Sequence, residues 1–206
     1  MSYKIWENIE QVESYANRRY RSWDQRLISN REKYLVQSML KDNSLSGPIL
    51  DCPSGFGRFH DILKDRGKVY AADLNHFAVK YYNKYISSNQ IAVEARAENL
   101  PFKDNQFQGV FSFRLLQHIH SPEDRMAILL EFSRVASSWV MASFYISSPV
   151  HIIHRKIVKM PSKITMISND NLHKEANEVG LNVVKQKAVI PGIHANRIVL
   201  MVHKKE

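Results

Sequence analysis

Short apolar runs recur through the middle of the chain, and most of them are separated by segments with helical spacing. The strand-like runs lie at residues 48–52, 68–73, 90–95, 109–113 and 139–145. Strands that alternate with helices predict an α/β fold, in which a mostly parallel sheet is covered by helices on both faces. Ligands of such sheets bind beyond the carboxyl ends of the strands. The pattern therefore places a site at that edge.

The two ends of the chain depart from this alternation. The first 42 residues are polar and aromatic with helical spacing, and they predict two helices that form an N-terminal extension covering the site. Residues 43–206 are predicted as one domain, because a chain of 206 residues suffices for a single core. Strand-like runs at 181–190 and 197–203 are joined by a linker too short for a helix, which predicts an antiparallel hairpin at the sheet edge.

A glycine turn follows the first strand-like run, in the sequence ILDCPSGFGRFHDIL. Gly55 and Gly57 let the backbone turn sharply and approach a ligand without side-chain obstruction. A triphosphate loop requires a Gly-Lys-Ser/Thr ending, which this turn lacks. The dinucleotide fingerprint requires a third glycine three positions after Gly57, where His60 stands. A third candidate ligand, S-adenosylmethionine, carries no phosphate. It requires the tight turn but not the third glycine.

An acidic residue, Asp73, closes the next strand-like run, KVYAAD. From this place a carboxylate can accept hydrogen bonds from both hydroxyls of a ribose. The alternative interpretation is that Asp73 and Asn75 only cap the following helix. The interval between the glycine turn and Asp73 favours a ligand that contains adenosine.

Composition narrows the function classes. No apolar run approaches the ~20 residues of a membrane span, and the start of the chain lacks the features of a signal peptide, so a cytoplasmic location is expected. Cys52 is the only cysteine, and neither a disulfide nor a metal site is expected. The formal charge is +9, and the stretch from Phe132 to Asn169 holds basic residues but no carboxylate. Such a field either attracts an anionic partner or is a solvated surface.

Four segments carry a resemblance to a known family. ILDCPSGFGRF, VYAADLN, ARAENLPFKDNQFQGVFSFRLLQHI and EFSRVASSWVMASF resemble, in this order and spacing, the successive motifs of the class I S-adenosylmethionine-dependent methyltransferases. The resemblance covers roughly Pro48 to Tyr145. It implies a Rossmann-like three-layer sandwich with a seven-stranded, mostly parallel sheet and an antiparallel C-terminal hairpin strand. It also implies that residues 43–206 bind S-adenosylmethionine and release S-adenosylhomocysteine.

The resemblance implies the roles of individual residues. The turn from residue 51 to 57 would hold the methionine part, Asp73 the ribose hydroxyls and Leu74 the adenine face. Family members often have an acidic residue at the position of Arg96, and that residue accepts a hydrogen bond from the adenine amino group. Arginine cannot accept, so Glu98 or backbone groups would have to accept this hydrogen bond here. Gln108 and the Pro53–Ser54 pair also depart from the family pattern. The predicted cofactor residues are Asp51, Cys52, Pro53, Gly55, Gly57, Arg58, Asp73, Leu74, Ala97, Glu98, Phe113 and Arg114.

Methyl transfer to a small-molecule acceptor, anionic or aromatic in character, is the predicted activity. His118 follows the fourth strand-like run and is the predicted base, although it could also only pack or cap the following helix. Two basic and aromatic regions are expected to cover the acceptor, through Tyr15, Arg19, Tyr20, His151, His154 and Arg155. The alternatives are an RNA methyltransferase, a non-catalytic cofactor-binding module of the same fold and, last, a nicotinamide dehydrogenase.

Overall fold

A seven-stranded sheet forms the centre of the protein. The computed structural model describes residues 6–41, 45–87, 91–147, 164–191 and 195–204. The strands are β1 Ile49–Asp51, β2 Val69–Asp73, β3 Ala92–Glu94, β4 Phe107–Ser112, β5 Ala136–Tyr145, β6 Leu181–Ala188 and β7 Asn196–His203. Their order across the sheet is β3-β2-β1-β4-β5-β7-β6. Only β7 runs antiparallel to its neighbours β5 and β6. The predicted fold class and the C-terminal hairpin are confirmed.

Six α-helices are described, and several begin at a side-chain cap. They are α1 Ile9–Arg18, α2 Trp23–Met39, α3 His60–Lys64, α4 His76–Tyr81, α5 Pro122–Val135 and α6 Asn169–Glu178. A π-helical turn, Tyr82–Ile86, continues α4, and a 3₁₀ turn, Leu116–His118, precedes α5. Asn8, Asn75, Ser121 and Ser168 each accept the backbone N–H three residues further on. Each cap satisfies one of the free amides at a helix start.

The helices form a layer on each face of the sheet. On one face Leu35, Val36 and Met39 of α2 pack with Leu63 of α3 against the sheet. On the other face Leu129 of α5 and residues of α6 form a second apolar cluster. Among the described residues no helix has the length and apolar composition needed to cross a membrane. The carboxyl ends of β1, β2, β4 and β5 are left at one edge of the sheet.

Two strands start earlier than their sequence pattern predicts. The fourth strand begins at Phe107 rather than 109, and β5 begins at Ala136, directly after the last residue of α5. Gly109 explains the fourth strand's irregular start, because it pairs with Trp139 and a register shift separates Phe107 from Gly109. A Cβ at position 109 would lie 2.0 Å from a ring atom of Trp139. The buried indole therefore requires a glycine opposite it.

Gly109→Ala is expected to lower the free energy of unfolding by about 1–3 kcal/mol, since the added methyl group overpacks the core against Trp139. Urea denaturation measures the change. In Gly109→Ala/Trp139→Leu the smaller side chain leaves room for the methyl, so the double variant should lose less stability than the sum of the two single variants. A Gly109→Ala protein within about 0.5 kcal/mol of the unmodified one would contradict this packing argument.

Candidate active site

The glycine turn lies directly after β1 and is fixed by its own backbone. The Ser54 amide donates to the carbonyl of Ala72 at 3.0 Å, and the Gly57 amide donates to the carbonyl of Ser54 at 2.9 Å. Gly55 and Gly57 have φ angles of +52° and +74°, which other L residues rarely adopt. A Cβ at Gly57 would lie 2.8 Å from Ile86, whereas a Cβ at Gly55 would meet nothing within 4 Å. The turn is closed at Gly57 and open at Gly55.

Asp73 connects the end of β2 to this turn. Its Oδ2 accepts the Gly55 amide and its Oδ1 accepts the Asn75 amide, both at 2.8 Å. Burial raises the pKa of the carboxyl, and the backbone amides of Asn75, Gly55 and Leu74 partly oppose that shift. A carboxylate offers about four lone-pair sites, so the two hydrogen bonds leave capacity for further donors. Both the predicted cap and a ligand contact are therefore compatible with its position.

A second buried carboxyl, Asp51, ends β1 beside Asp73. Its exposed fraction is 3%. Burial, with a smaller contribution from the charge of Asp73, raises the pKa of Asp51 well above its ordinary value. The ends of β1 and β2 thus bring two carboxyl groups together. This pair favours the binding of a ligand that is cationic or rich in hydroxyl groups.

Asp51→Asn is expected to flatten the pH dependence of stability in the ligand-free protein. The native Asp51 keeps its proton at a pH where the unfolded chain has lost it, so the native state loses stability as the pH rises from about 4 through the raised pKa. Asparagine does not titrate. The melting temperature of Asp51→Asn should therefore gain on that of the unmodified protein as the pH rises from about 4 through the raised pKa. A difference in melting temperature that is constant with pH would contradict the shift.

His60 stands where a dinucleotide-binding turn needs its third glycine. It is the first residue of α3, and its Nδ1 lies 2.6 Å from the Tyr82 hydroxyl. Burial lowers the pKa of the imidazole. The side chain is thus fixed between α3 and the π-helical turn, at the position where the dinucleotide fingerprint has a glycine for close packing of its helix on the strand.

The predicted adenine side follows β2 and β3. Leu74 is 54% exposed although it is apolar, so it offers a surface on which a planar ring can lie. The exposed Glu98 is paired with Arg96, whose Nη2 lies 2.5 Å from Oε1. Ala97 is half-buried between them. Arg96 therefore pairs with the acid that the sequence assigned to the adenine edge, and both side chains remain exposed.

The N-terminal segment contacts the glycine turn. The Trp6 carbonyl accepts a hydrogen bond from Asn75 Nδ2 at 3.0 Å, so the backbone at Trp6 is held at the N-cap of α4. Tyr15 of α1 packs between Trp6 and Phe56, with ring centroids 5.4 and 5.9 Å away. Of the predicted acceptor residues, Tyr15 therefore lies against the turn itself, on the side of α4.

A polar cluster that sequence reasoning missed lies at the ends of β4 and β7. Its centre is Glu32 of α2, which is completely buried. Arg58 Nη2 lies 2.6 Å from Oε2 of Glu32, and Arg114 Nη2 lies 2.8 Å from Oε1. Asn196 Nδ2 donates to the same Oε1 at 3.1 Å. We call Glu32, Arg58, Arg114 and Asn196 the Glu32 cluster.

Two predicted residues, Tyr20 and Phe113, lie against Arg58 of this cluster. The Arg58 side chain turns away from the glycine turn toward α2, and its guanidinium also contacts Ser29 Oγ at 3.0 Å. Its Cζ lies 4.5 Å from the Tyr20 ring centroid and 5.4 Å from that of Phe113. Cys52 and Pro53 stay in the turn, with Cys52 buried. Two residues predicted to bind the cofactor, Arg58 and Arg114, thus lie close to Tyr20, which was predicted to bind the acceptor.

The remaining predicted residues are His118, Arg19 and three that lie outside the described part. His118 is half-buried and ends the 3₁₀ turn after β4. Arg19 lies beside Tyr20, with Cζ 5.5 Å from that ring centroid. His151, His154 and Arg155 lie outside the described residues. A shallow depression of about 550 Å³ is lined by residues of α6, β6 and β7 and by the two residues after β5. Three strands separate β6 from β1, and none of the predicted site residues lines this depression.

Known proteins match the part of the chain that contains this site. Residues 50–138 match the profile described as "Methyltransferase domain". The C-methyltransferase UbiE of ubiquinone and menaquinone biosynthesis from Shewanella halifaxensis is 30% identical over 123 residues, which are 55% of this chain and 48% of that protein. The chain thus spans about half the length of the curated relatives it matches.

Solved structures share the fold at lower identity. Magnesium protoporphyrin IX methyltransferase from Synechocystis PCC 6803, solved with S-adenosylhomocysteine, superposes with a TM-score of 0.72 at 18% identity, covering 89% of this chain and 88% of that one. The 1,6-didemethyltoxoflavin-N1-methyltransferase of Burkholderia thailandensis gives 0.65 at 16%, covering 96% and 86%. The matched profile contains the glycine turn, Asp73 and the β4 motif within this fold. The chain therefore matches a methyltransferase domain over residues 50–138 and shares the fold of these solved methyltransferases.

Proposed function

We propose that this protein transfers a methyl group from S-adenosylmethionine to a small-molecule acceptor that is anionic or aromatic. The observation that carries the proposal is the pairing of the open Gly55 with Asp73, which joins the turn after β1 to the end of β2 by a 2.8 Å hydrogen bond. A turn of this shape fits a ligand with a ribose and no pyrophosphate. The absence of a glycine at position 60 favours the same ligand.

The residues that would hold the cofactor divide by its parts. Asp73 would accept hydrogen bonds from the ribose hydroxyls, and Leu74 would lie against the adenine beside Ala97 and Glu98. Asp51 and the backbone to Gly57 would hold the methionine part. When bound, S-adenosylmethionine supplies a methyl group on a positively charged sulfur. The protein's part is then to align an acceptor in line with that methyl and to exclude water.

The acceptor would lie at the ends of β4 and β5, between the sheet and the N-terminal helices. Phe113 and Tyr20 provide aromatic walls there, and Arg19 and Arg114 provide positive charge. His118 is our proposed base for an acceptor that must lose a proton. The proteins with small-molecule acceptors in their names support this class, one by partial sequence similarity and the other by its fold.

Methylation of RNA is the second candidate, and the formal charge of +9 favours it. The two candidates are separated by incubating the protein with methyl-labelled S-adenosylmethionine and two fractions of a cell extract, one of small molecules and one of RNA. We expect label only in the small-molecule fraction. Label in RNA, with binding that falls steeply as salt rises, would replace our proposal by the second candidate. Cofactor binding without label in either fraction would indicate a non-catalytic module.

A further inference from the structure

The Glu32 cluster holds more positive charge than its own carboxylate balances. Two guanidiniums, Arg58 and Arg114, face one carboxylate, which leaves one formal positive charge. The negative charge of Glu32 also acts to raise the pKa of the Tyr20 and Tyr145 phenols. The other charged groups that act on these two phenols are arginines, among them Arg114. The described surroundings of the cluster therefore contain no second acid that acts on these phenols.

Several donors of the cluster also lack an acceptor. Arg58 Nε and Nη1 and Arg114 Nε are buried and have no hydrogen-bond partner among the described residues. A buried donor left unpaired costs about 1–3 kcal/mol, and more when it is charged. The Arg58 side chain is 9% exposed and that of Arg114 is 24% exposed, so the cluster opens to the surface mainly at Arg114.

The backbone fixes the second arginine at the sheet edge. Arg114 has a φ of +62°, a conformation that costs a non-glycine residue energy and clusters at ligand sites. Its amide donates to Ser143 Oγ of β5 at 2.7 Å, which holds this conformation. The side chain is 24% exposed, so it reaches from the buried carboxylate toward the outside. Arg114 thus connects the buried carboxylate of the cluster with the exposed sheet edge at the end of β4.

Aromatic rings complete the surroundings of the two arginines. The Tyr20 and Phe113 rings lie against the Arg58 guanidinium, and Tyr145 ends β5 opposite Asn196. Burial raises the pKa of both tyrosines, so they stay neutral and can donate a hydrogen bond to an anion. A planar apolar body with one negative group matches these walls and this charge.

We infer that the Glu32 cluster binds the carboxylate or phosphate group of the methyl acceptor, through Arg58 and Arg114. This inference rests on the proposed function and adds the recognition group of the acceptor. Glu32 orients the two guanidiniums, and the anion accepts from the donors that the protein leaves unpaired. The other carboxylate that could enter is that of the cofactor's own methionine part, and the experiment below separates the two sources.

The test uses two matched pairs of probes, benzoate with benzamide and phenyl phosphate with phenol. Each is titrated by calorimetry into protein saturated with S-adenosylhomocysteine at constant ionic strength. We expect at least one charged probe to bind at least tenfold more tightly than its neutral partner. Arg114→Gln should abolish that preference, whereas Arg114→Lys, which keeps the charge, should retain much of it. Arg58→Gln gives a second, independent variant if the first does not fold.

The matched control is Arg21→Gln, which removes the same charge from an exposed arginine and should leave the preference unchanged. No preference in the unmodified protein, or a preference that survives both Arg58→Gln and Arg114→Gln, overturns the inference. So does a loss of S-adenosylhomocysteine binding in Arg114→Gln with unchanged binding of 5′-methylthioadenosine, since the arginine would then serve the cofactor's carboxylate. Failure of the unmodified protein to bind S-adenosylhomocysteine at all would instead refute the proposed function.

Discussion

Asp73→Ala is expected to weaken S-adenosylhomocysteine binding by about 100-fold. The carboxylate would accept hydrogen bonds from two ribose hydroxyls, and a hydrogen bond to a charged group contributes about 1.5–3 kcal/mol. A loss of about 3 kcal/mol corresponds to that factor. The substitution also removes the acceptor of the Gly55 and Asn75 amides, so the glycine turn loses its tie to β2. Isothermal calorimetry on both proteins measures the difference.

Asp61→Ala is the matched control for this substitution, because Asp61 is an exposed carboxylate of α3 that pairs only with Lys64 among the described residues. Its affinity for S-adenosylhomocysteine should equal that of the unmodified protein. If Asp73→Ala bound the ligand within threefold of the unmodified protein while remaining folded, Asp73 would be a helix cap and turn anchor without a role in the ligand site.

Glu32→Ala is expected to lower the free energy of unfolding by about 3–5 kcal/mol. Removal of one partner of a buried ion pair leaves an uncompensated charge, and here it leaves two guanidiniums together. Asn196 and the attachment of α2 to the sheet edge lose the same acceptor. Urea denaturation of the ligand-free protein measures the loss.

Glu13→Ala serves as the comparison, since Glu13 is an exposed glutamate within α1. This variant should stay within about 0.5 kcal/mol of the unmodified protein. If Glu32→Ala cost no more than Glu13→Ala, the cluster would not be the tight charged arrangement that we describe. The inference about an acceptor anion would then lose its structural basis.

The sheet and the turn were predictable from sequence because their signals are local. A run such as PILDC predicts a buried strand by its own composition, and the glycines after it predict the turn. Strand starts were less predictable. The beginning of β5 directly after α5 has no turn residue to mark it, and the start of β4 depends on Trp139, which is thirty positions from Gly109 in the chain.

The Glu32 cluster was missed because its members come from distant parts of the chain. One local signal was present: Glu32 lies on the same helical face as Ile28, Leu35, Val36 and Met39. A carboxylate on an apolar face predicts a buried charge with partners elsewhere. Which arginines pair with this carboxylate depends on how α2 lies across the sheet, and no local sequence pattern contains that information. Arg58 was accordingly assigned to the cofactor through its position in the turn alone.

We expect the turn from Asp51 to Gly57, together with Asp73, to hold S-adenosylmethionine rather than a dinucleotide. A calorimetric titration of the unmodified protein with S-adenosylhomocysteine and, separately, with NAD tests it most directly. We predict that S-adenosylhomocysteine saturates a single site and that NAD produces no binding heat. Binding of NAD, or no binding of S-adenosylhomocysteine by folded protein, would contradict the claim.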